Sequence, residues 1–381
     1  MAQTKPQPQI VIIGAGIAGL ALAHGLHKLG FETTLVEQSD ELSEIGSGIS
    51  IWENGLQALA TIGLREAVES RGLAWPNYEI HRPKKSIIVR DNTILSLGGM
   101  TAPLMLKRGA LFGELRDALP TSINIITGFK VQSISEGSLI ATDGRRLTGD
   151  LIIGADGSHS IVRQQLTSQM PKFRKQICFR GIASNVTGKG WNPAEVYDDR
   201  RHRFGYFRLP DNQVYWFDIV DSETPYDEFS AHRRDIENLS PFIASLIEKT
   251  PAETILCHPI EDMPPVTTWH RAIALIGDAA HPMQPSLGQG ACLALEDSVV
   301  LADSLGQERQ DFGKAIQTYL SLRKKRWKSY YSLCDQLGTG ALDKGVWGRK
   351  LALMRMVHTP EWSLSLFGRH IFAFKQRNIS F

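Results

Sequence analysis

The sequence predicts an α/β protein in which a mainly parallel sheet is joined to an antiparallel sheet and followed by C-terminal helices. Three short apolar runs, at 9–13, 150–153 and 272–276, each lead into a turn of small residues. Runs of this kind, rich in β-branched residues, are typical of strands buried on both faces of a parallel sheet. Residues 172–268 instead carry alternating or apolar stretches separated by turns, and this pattern predicts antiparallel strands.

The first apolar run opens a complete strand, turn, helix and strand unit. Residues 14–19 follow the pattern GxGxxG, residues 20–29 predict a helix, and the apolar strand at 33–36 ends in Glu37. A GxGxxG pattern alone is weak evidence, but the surrounding strands and helix supply the context of a Rossmann-like dinucleotide site.

Each residue of this unit has a physical role. Gly14 permits the tight turn, Gly16 lets a pyrophosphate approach the backbone, and Gly19 lets the helix pack closely on the sheet. The helix N-terminus offers free N–H groups to the phosphates, and Glu37 can accept hydrogen bonds from ribose hydroxyls. A carboxylate at that position would repel a 2′-phosphate, so the unit predicts bound NAD or FAD rather than NADP.

Two later strands also end in a small residue and a carboxylate. Residues 154–157 contain Asp156, and residues 277–282 contain Asp278. The carboxyl ends of parallel strands meet at one sheet edge, where ligands bind. Residues 288–290 then open a predicted helix, whose N–H groups could face an anionic or carbonyl oxygen.

Together these motifs resemble the single-component FAD-dependent aromatic hydroxylases, which are flavoprotein monooxygenases with a para-hydroxybenzoate-hydroxylase-like fold. The resemblance covers about residues 9 to 330, and the pattern is closest to the compact urate- and salicylate-hydroxylase-like members. It implies a discontinuous FAD-binding domain, a substrate-binding β-sheet domain and a C-terminal helical segment. The expected boundaries are 1–75, 100–170 and 270–335 for the first, 76–99 and 171–269 for the second, and 336–381 for the third.

The resemblance implies FAD as the bound cofactor and assigns residues to it. Arg108 would touch its ribose or phosphate, Asp278 its ribityl and pyrophosphate region, and the loop at 46–49 would lie near the isoalloxazine ring. Asp156 would serve FAD and, by analogy, NAD(P)H. The expected cofactor-binding residues are Gly14, Gly16, Ala18, Gly19, Glu37, Gln38, Gly48, Arg108, Asp156, Asp278, Gly288, Gly290 and Ala291.

Arg203 and Tyr215 are the expected substrate contacts, because compact members of the family carry polar substrate-facing groups there. Arg203 could hold an anionic ring substituent in a bidentate manner, and Tyr215 could polarise or deprotonate a phenolic oxygen. Several aromatic residues of the antiparallel segment suggest a sheet that covers a pocket, although each alone is more typical of a core position. They are Phe204, Tyr206, Phe207, Tyr215, Trp216 and Phe217.

The function implied by the resemblance is FAD-dependent monooxygenation. NAD(P)H would reduce the flavin, O2 would form a C4a-hydroperoxide, and an aromatic or heteroaromatic small molecule would be hydroxylated. The chain has no second GxGxxG in strand and helix context, so NAD(P)H is expected to bind transiently. A helix beginning at Gly290 would stabilise the anionic reduced flavin. Two alternatives remain open: epoxidation of an alkene, or a flavin-binding isomerase or binder without monooxygenation.

The composition limits the partners. The 42 Lys and Arg residues nearly balance the 40 Asp and Glu residues, which gives no electrostatic case for a nucleic-acid partner. No apolar stretch is long enough to predict a spanning helix, and the N-terminus does not resemble a signal peptide. No two of the four cysteines stand at CxxC spacing, no disulfide framework is expected, and this cysteine usage fits a reducing cytoplasm. We expect no metal site, because His258 and His270 do not have the spacing of metal ligands. His281 could lie near the flavin, but a packing role is favoured for it. No oligomeric state is predicted.

The C-terminal part is expected to be helical. Residues 311–336 predict a long amphipathic helix, in which the basic run at 323–328 is expected to form a solvated face. The apolar and aromatic segment 346–374 is expected to pack as helices over the substrate pocket, with contact to a membrane as the alternative for a lipophilic substrate.

Overall fold

The chain folds around a five-stranded parallel sheet, as its three apolar runs predicted. The computed structural model describes residues 8–43, 47–81, 89–91 (backbone only), 102–135, 137–188, 191–197, 202–267 and 272–338. The helices are α1 Ile17–Lys28, α2 Glu53–Ile62, α3 Arg65–Glu69, α4 Arg108–Asp117, α5 Ile161–Thr167, α6 Phe229–Glu237, α7 Pro241–Glu248, α8 Gly290–Gln307 and α9 Phe312–Leu337. The strands are β1 Gln9–Ile13, β2 Glu32–Val36, β3 Gly48–Ile51, β4 Leu73–Ala74, β5 Tyr78–His81, β6 Val89–Asp91, β7 Leu104–Lys107, β8 Asn124–Ile126, β9 Val131–Ser135, β10 Ser138–Ala141, β11 Arg146–Thr148, β12 Leu151–Gly154, β13 Lys172–Ala183, β14 Ala194–Tyr197, β15 Arg203–Leu209, β16 Gln213–Asp221, β17 Leu256–Asp262 and β18 Ile273–Leu275.

The parallel sheet has the strand order β18-β12-β1-β2-β8, and every neighbouring pair in it is parallel. Its central strand β1 is almost wholly buried, because the run of Ile and Val residues is covered on both faces. Helix α1 begins at Ile17, three residues before the predicted start. The Ser298 hydroxyl of α8 donates a hydrogen bond to the backbone oxygen of Ala18 in α1, and this bond joins the two helices.

The second sheet has seven strands in the order β17-β13-β16-β15-β14-β5-β6. Its strands pair antiparallel except β14 and β5, which pair in parallel. Strands β13, β15 and β16 were predicted from their alternation. The two faces of this sheet differ in what they cover, since alternate residues of a strand point to opposite sides.

One face of the seven-stranded sheet packs against α6 and α7. Phe204, Tyr206 and Trp216 belong to this cluster, so these three aromatic side chains serve the core. The opposite face carries Tyr215, Phe217 and Phe207, in or against a separate aromatic cluster that includes Trp75 of the segment before β5. This second face is directed toward the small antiparallel sheet of β3, β7 and β4.

The basic run of α9 is only partly a solvated face, which corrects the sequence expectation. Lys324, Lys325 and Lys328 are exposed. Arg323, however, is buried and bonds to both Glu296 and Asp297 of α8. Local periodicity cannot reveal this pairing, because the acidic partners lie about one helix earlier in the chain.

Parts of the sequence prediction lie outside the described residues. These include the segment 346–374, Gly46 and His270. Within the described chain, none of the helices combines the length and apolar character that crossing a bilayer requires.

Strands of the parallel sheet come from 9–154 and 273–275, and those of the seven-stranded sheet from 78–91 and 172–262. The domain boundaries themselves stay a prediction.

Candidate active site

The three loop edges expected at the ligand site lie side by side. Strand β1 pairs with β12, which in turn pairs with β18, and all three strands end at the same level. The Ala155 N–H donates to the oxygen of Ile13 at 2.8 Å, and the Ile276 N–H donates to the oxygen of Gly154 at 3.0 Å. The loops that follow β1, β12 and β18 are therefore joined at the carboxyl edge of the sheet.

The glycine loop after β1 is tightly packed except at its centre. Gly14 has φ +101°, and a Cβ there would lie 2.5 Å from the oxygen of Ala155. A Cβ on Gly19 would collide with the carbonyl group of Gly14. Gly16, in contrast, has nothing within 4 Å of the place where a Cβ would stand, and it precedes the first residue of α1. The open space at Gly16 fits a pyrophosphate approaching the helix N-terminus.

Glu37 closes the other side of the same loop. One carboxylate oxygen accepts from the Ala15 N–H at 2.9 Å, and the other accepts from the Ser39 N–H at 3.0 Å. The carboxylate therefore stands next to the glycine loop, at the end of β2, where the sequence predicted a ribose contact. Gln38 follows it and is exposed.

Asp156 caps the helix that follows β12. Its Oδ2 accepts from the N–H of Ile161 at 2.8 Å and more weakly from that of Val162 at 3.3 Å. Its Oδ1 is buried and has no hydrogen-bond partner among the described residues. Burial raises the pKa of Asp156, and the hydrogen bonds to its carboxylate oppose that rise. A buried acceptor of this kind fits a loop that contacts a polar ligand.

Asp278 lies in the loop after β18, next to the start of α8. The side chain is exposed, and its Oδ1 lies close to Gly290, the first residue of α8. Surrounding protein raises the pKa of Asp278 by desolvation, while His281, Arg108 and Arg163 act in the opposite direction. Arg108, which sequence resemblance assigned to FAD, is thus brought near Asp278 from a distant part of the chain.

Arg163 joins two of these loops, and sequence reasoning assigned no role to it. Its side chain is fully buried, and its guanidinium donates to the oxygens of Asp278 at 3.2 Å, Ala279 at 3.1 Å and Ser158. The backbone oxygens of both carboxylate loops therefore share one arginine. The signal in the sequence was its place in the first turn after the 154–160 loop, but its partners come from tertiary structure.

The remaining predicted cofactor residues surround the same edge. Ala18 lies beside Gly277, since a Cβ on that glycine would come within 3.2 Å of the Ala18 methyl group. Gly288 has φ +60°, and a Cβ there would lie 2.7 Å from the hydroxyl of Ser50. Gly290 and Ala291 form the first turn of α8. The loop before α8 is thus placed against strand β3.

Gly48 and Tyr215 meet where the two sheets face each other. A Cβ on Gly48 would collide with the Tyr215 ring, so the ring packs directly on the backbone of β3. Burial raises the pKa of the Tyr215 hydroxyl strongly, with Arg180 acting in the opposite direction. The hydroxyl therefore stays protonated at neutral pH, which favours hydrogen-bond donation over the deprotonating role considered from the sequence.

Arg203 is already paired. Its Nε and Nη2 donate to the two oxygens of Glu195 at 2.7 Å and 3.0 Å, and Nη2 also donates to the oxygen of Ser286 at 3.2 Å. The sequence predicted that Arg203 would hold a substrate anion in a bidentate manner. In the structure this bidentate pairing is made with a buried carboxylate of the chain, Glu195. Arg203 connects the seven-stranded sheet to the segment before Gly288, and a contact with substrate stays a prediction.

His281 is fully buried beside Trp327. Its Nε2 bonds to Asp297, which also accepts from the Gly277 N–H at 3.0 Å. These contacts favour the packing role for His281 and show how α8 holds the turn after β18. Sequence reasoning missed Asp297 as the acceptor that organises this turn.

Comparison with known proteins identifies the family. A family model described as FAD binding domain matches residues 130–330, and one described as Lycopene cyclase protein matches residues 9–200. The chain is 31% identical over 369 residues to an aurachin C monooxygenase/isomerase from Stigmatella aurantiaca, covering 91% of this chain and 94% of that one. It is 31% identical over 310 residues to a 2-heptyl-3-hydroxy-4(1H)-quinolone synthase from Pseudomonas aeruginosa, covering 77% and 79%.

The fold has close structural counterparts. Klebsiella pneumoniae HpxO, solved in complex with FAD and uric acid, superposes with a TM-score of 0.83 at 23% identity, covering 96% of each chain. The FAD-binding model matches more than half of the chain, and the first relative is similar along almost its whole length. The chain therefore belongs to the single-component FAD-dependent aromatic hydroxylases, of the urate- and salicylate-hydroxylase-like type, and its cofactor is FAD.

Proposed function

We propose that this protein is an NAD(P)H-dependent monooxygenase that uses FAD and O2 to hydroxylate a heteroaromatic small molecule. Two relatives support the substrate class by name, since one acts in synthesis of a 3-hydroxy-4-quinolone and the solved HpxO holds uric acid. The bound flavin supplies the activation of O2 and the transfer of one oxygen atom.

The single observation that carries the proposal is the convergence of three loops at one sheet edge. Gly16, Asp156 and Asp278 come from separate parts of the chain, yet the strands before them are hydrogen-bonded neighbours. The open space at Gly16 and the buried unpartnered oxygen of Asp156 fit a bound dinucleotide. We assign the pyrophosphate to the start of α1 and a polar contact with the cofactor to Asp156.

The other assigned residues hold or orient the cofactor. We assign Glu37 to accept a hydrogen bond from the ribose, Arg108 and Asp278 to bind the phosphate and ribityl region, and the N-terminus of α8 to offer positive potential to the flavin pyrimidine edge. Arg163 positions two of these loops through their backbone oxygens. None of these roles requires a side chain to transfer a proton.

On the substrate side, we assign the exclusion of water to the aromatic face of the seven-stranded sheet, where Phe207 and Tyr215 are buried. We assign hydrogen-bond donation to Tyr215, because its ring packs on β3 and its neutral hydroxyl lies near enough to Arg180 for that charge to oppose the rise in its pKa. Arg203 is assigned to positioning, since it joins Glu195 to the oxygen of Ser286 just before Gly288.

Purified protein tests the proposal. We expect copurified FAD, recognised by its visible absorbance, and oxidation of NADH or NADPH that a heteroaromatic substrate accelerates. Turnover under isotopically labelled O2 should place one labelled oxygen atom in the product. A protein that binds FAD but incorporates no oxygen into any member of a heteroaromatic library would contradict the proposal and favour a flavin-binding protein without monooxygenation.

The cytoplasmic location expected from the cysteine content stays a prediction.

A further inference from the structure

Asn54 lies in the first turn of α2, shortly after strand β3, and its side chain is fully buried. Its amide nitrogen reaches two residues from a distant part of the chain. Nδ2 donates to Oε1 of Gln289 at 2.9 Å and to Oε1 of Glu296 at 2.7 Å. Gln289 immediately precedes α8, and Glu296 lies in the second turn of that helix. Asn54 therefore contacts both the loop before α8 and the helix itself.

The hydrogen bonds at Glu296 fix the orientation of both amides. Arg323 and Arg326 of α9 donate to the Glu296 carboxylate, which only accepts hydrogen bonds. Asn54 must therefore turn its NH2 group toward Glu296. Because the same NH2 group meets Gln289, that residue must present its oxygen. A chain of buried groups thus runs from α9 through Glu296 and Asn54 to the loop residue Gln289.

Two polar atoms of this amide pair are buried and have no hydrogen-bond partner in the described part of the chain. They are Oδ1 of Asn54 and Nε2 of Gln289. Buried polar groups without a partner cost free energy and are rare in folded proteins, so their presence indicates a geometry that is held for function. The unpartnered donor belongs to the residue directly before α8, which fits a loop that meets a polar ligand.

The start of α2 and the start of α8 also touch directly. The Trp52 N–H donates to Sγ of Cys292 at 3.3 Å, and a Cβ on Gly55 would lie 3.0 Å from the same sulfur. In the preceding loop, Gly288 packs on Ser50 of β3. These contacts set the distance between β3 and the first turn of α8. Both elements carry residues assigned to the flavin, so their relative position defines the cofactor site.

We propose that Asn54 is a positioning residue that, through Gln289, holds the N–H groups at the start of α8 in the orientation that stabilises negative charge on the pyrimidine edge of reduced FAD. The inference rests on the proposed function, because that function assigns the flavin edge to this helix N-terminus. Free N–H groups stabilise an anion only while they point at it. Loss of the Asn54 contact should therefore weaken the binding of reduced FAD more than that of oxidised FAD.

The midpoint potential of bound FAD tests this proposal, because it compares the binding of the reduced and oxidised forms. It is measured by slow reduction of the FAD-loaded protein in the presence of a reference dye. We expect Asn54→Leu, which keeps a branched side chain and removes both hydrogen bonds, to lower the potential. The expected shift corresponds to a loss of at least about threefold in affinity for reduced relative to oxidised FAD, or about 15 mV for a two-electron couple.

Two further variants show whether Asn54 acts through Gln289. Gln289→Met keeps an unbranched side chain and removes the acceptor oxygen, so it should also lower the potential. In the double variant the two shifts should not add, because either change breaks the same contact. Gln289→Met carries the test by itself if Asn54→Leu does not fold.

Leu305→Ala is the control for a general loss of stability. Leu305 is buried in the same helix, about 20 Å along its axis from the first turn. Its truncation should destabilise the protein, because it leaves a cavity in the core. The control should keep the wild-type potential. FAD content and thermal unfolding of each variant report whether it is folded.

Three outcomes would overturn the inference. The first is a wild-type or raised potential in a folded, FAD-loaded Asn54→Leu or Gln289→Met variant. The second is a double variant in which the two shifts add fully, and the third is a shift of the same size in Leu305→Ala. Oxygen incorporation is measured separately, and the potential of bound FAD does not depend on it. A failure of the monooxygenase assignment is therefore distinguishable from a failure of the positioning role.

Discussion

At the scale of single residues, the glycines of the loop at 14–19 differ in whether they serve cofactor binding or folding. Gly16 and Gly19 belong to the same motif, but their surroundings differ. A methyl group on Gly16 would enter open space, whereas one on Gly19 would meet the carbonyl of Gly14. The φ of Gly16 is −75°, a value that any residue can adopt.

We therefore expect Gly16→Ala to fold with wild-type stability as the FAD-free protein and to lose FAD affinity by about tenfold or more, because the methyl group would stand where the pyrophosphate approaches. Urea unfolding of the FAD-free protein and FAD titration measure the two effects. Normal FAD affinity in this variant would place the pyrophosphate elsewhere.

Gly19→Ala should behave in the opposite way. We expect it to lower the free energy of unfolding of the FAD-free protein by at least about 2 kcal/mol, because α1 must move away from the loop. The same urea titration measures it. A stable Gly19→Ala variant would show that the packing of α1 on the loop is looser than the structure indicates.

Asp278 provides a second test at this scale. We expect Asp278→Ala to be purified with less FAD, since the exposed carboxylate lies beside the first turn of α8. The ratio of flavin absorbance to protein absorbance measures retention. Asp143→Ala, at an exposed turn between β10 and β11, is the control and should retain FAD fully. Full flavin content in the Asp278 variant would contradict the role assigned to it.

At the scale of elements, α8 and α9 are joined by a buried charge network. Arg323 donates to Glu296 and Asp297, and Trp327 and His281 also bond to Asp297. Burial alone would raise the pKa of Asp297, but the neighbouring Arg323 and His281 outweigh it and hold that pKa below its usual value. Because Asp297 also fixes the Gly277 N–H, the network positions the loop that carries Asp278.

Replacing Arg323 should measure how much this charge network contributes to the stability of the protein. We expect Arg323→Met to lower the free energy of unfolding by about 3 to 5 kcal/mol at neutral pH, because the buried carboxylates lose their counter-charge. Lys325→Met, on the exposed side of α9, should cost little. Urea unfolding of both variants measures the difference.

The pH dependence follows from the lowered pKa of Asp297. A carboxylate with a lowered folded pKa stabilises the protein above its unfolded pKa of about 4 and loses this contribution as pH falls through the folded value. The deficit of Arg323→Met relative to the wild-type protein should therefore be largest near neutrality and shrink in acid. A deficit that is constant with pH would assign the loss to packing alone.

At the scale of the whole molecule, one ligand should tie together loops from distant parts of the chain. Adding FAD to the FAD-free protein should slow amide hydrogen exchange at 14–19, 156–163 and 277–291 together, because all three segments meet at one sheet edge. Helices α6 and α7 lie on the far face of the other sheet and serve as the internal control. Protection of only one of the three segments would contradict a shared site.

Much of this organisation was predictable from local patterns. The strands at β1, β2 and β12, the helix α8 and the antiparallel strands β15 and β16 follow from runs and alternation within a few residues. The identity of the cofactor followed from the resemblance of the motifs, and the family comparison confirms FAD. The small sheet of β3, β7 and β4 was not predicted, because its strands are short and β7 pairs with β3 across more than 50 residues and with β4 across about 30.

By itself, the sequence determined the glycine loop, the carboxylates that follow the strands and the order in which they occur, because turns and buried strands depend on neighbouring residues. Only the tertiary structure decided which charges are paired. Arg203 and Arg323 are neutralised by Glu195, Glu296 and Asp297, whereas Arg180 meets no carboxylate among the described residues. Arginines look alike in a sequence, and the partner that neutralises each one is set by chain segments that meet only after folding.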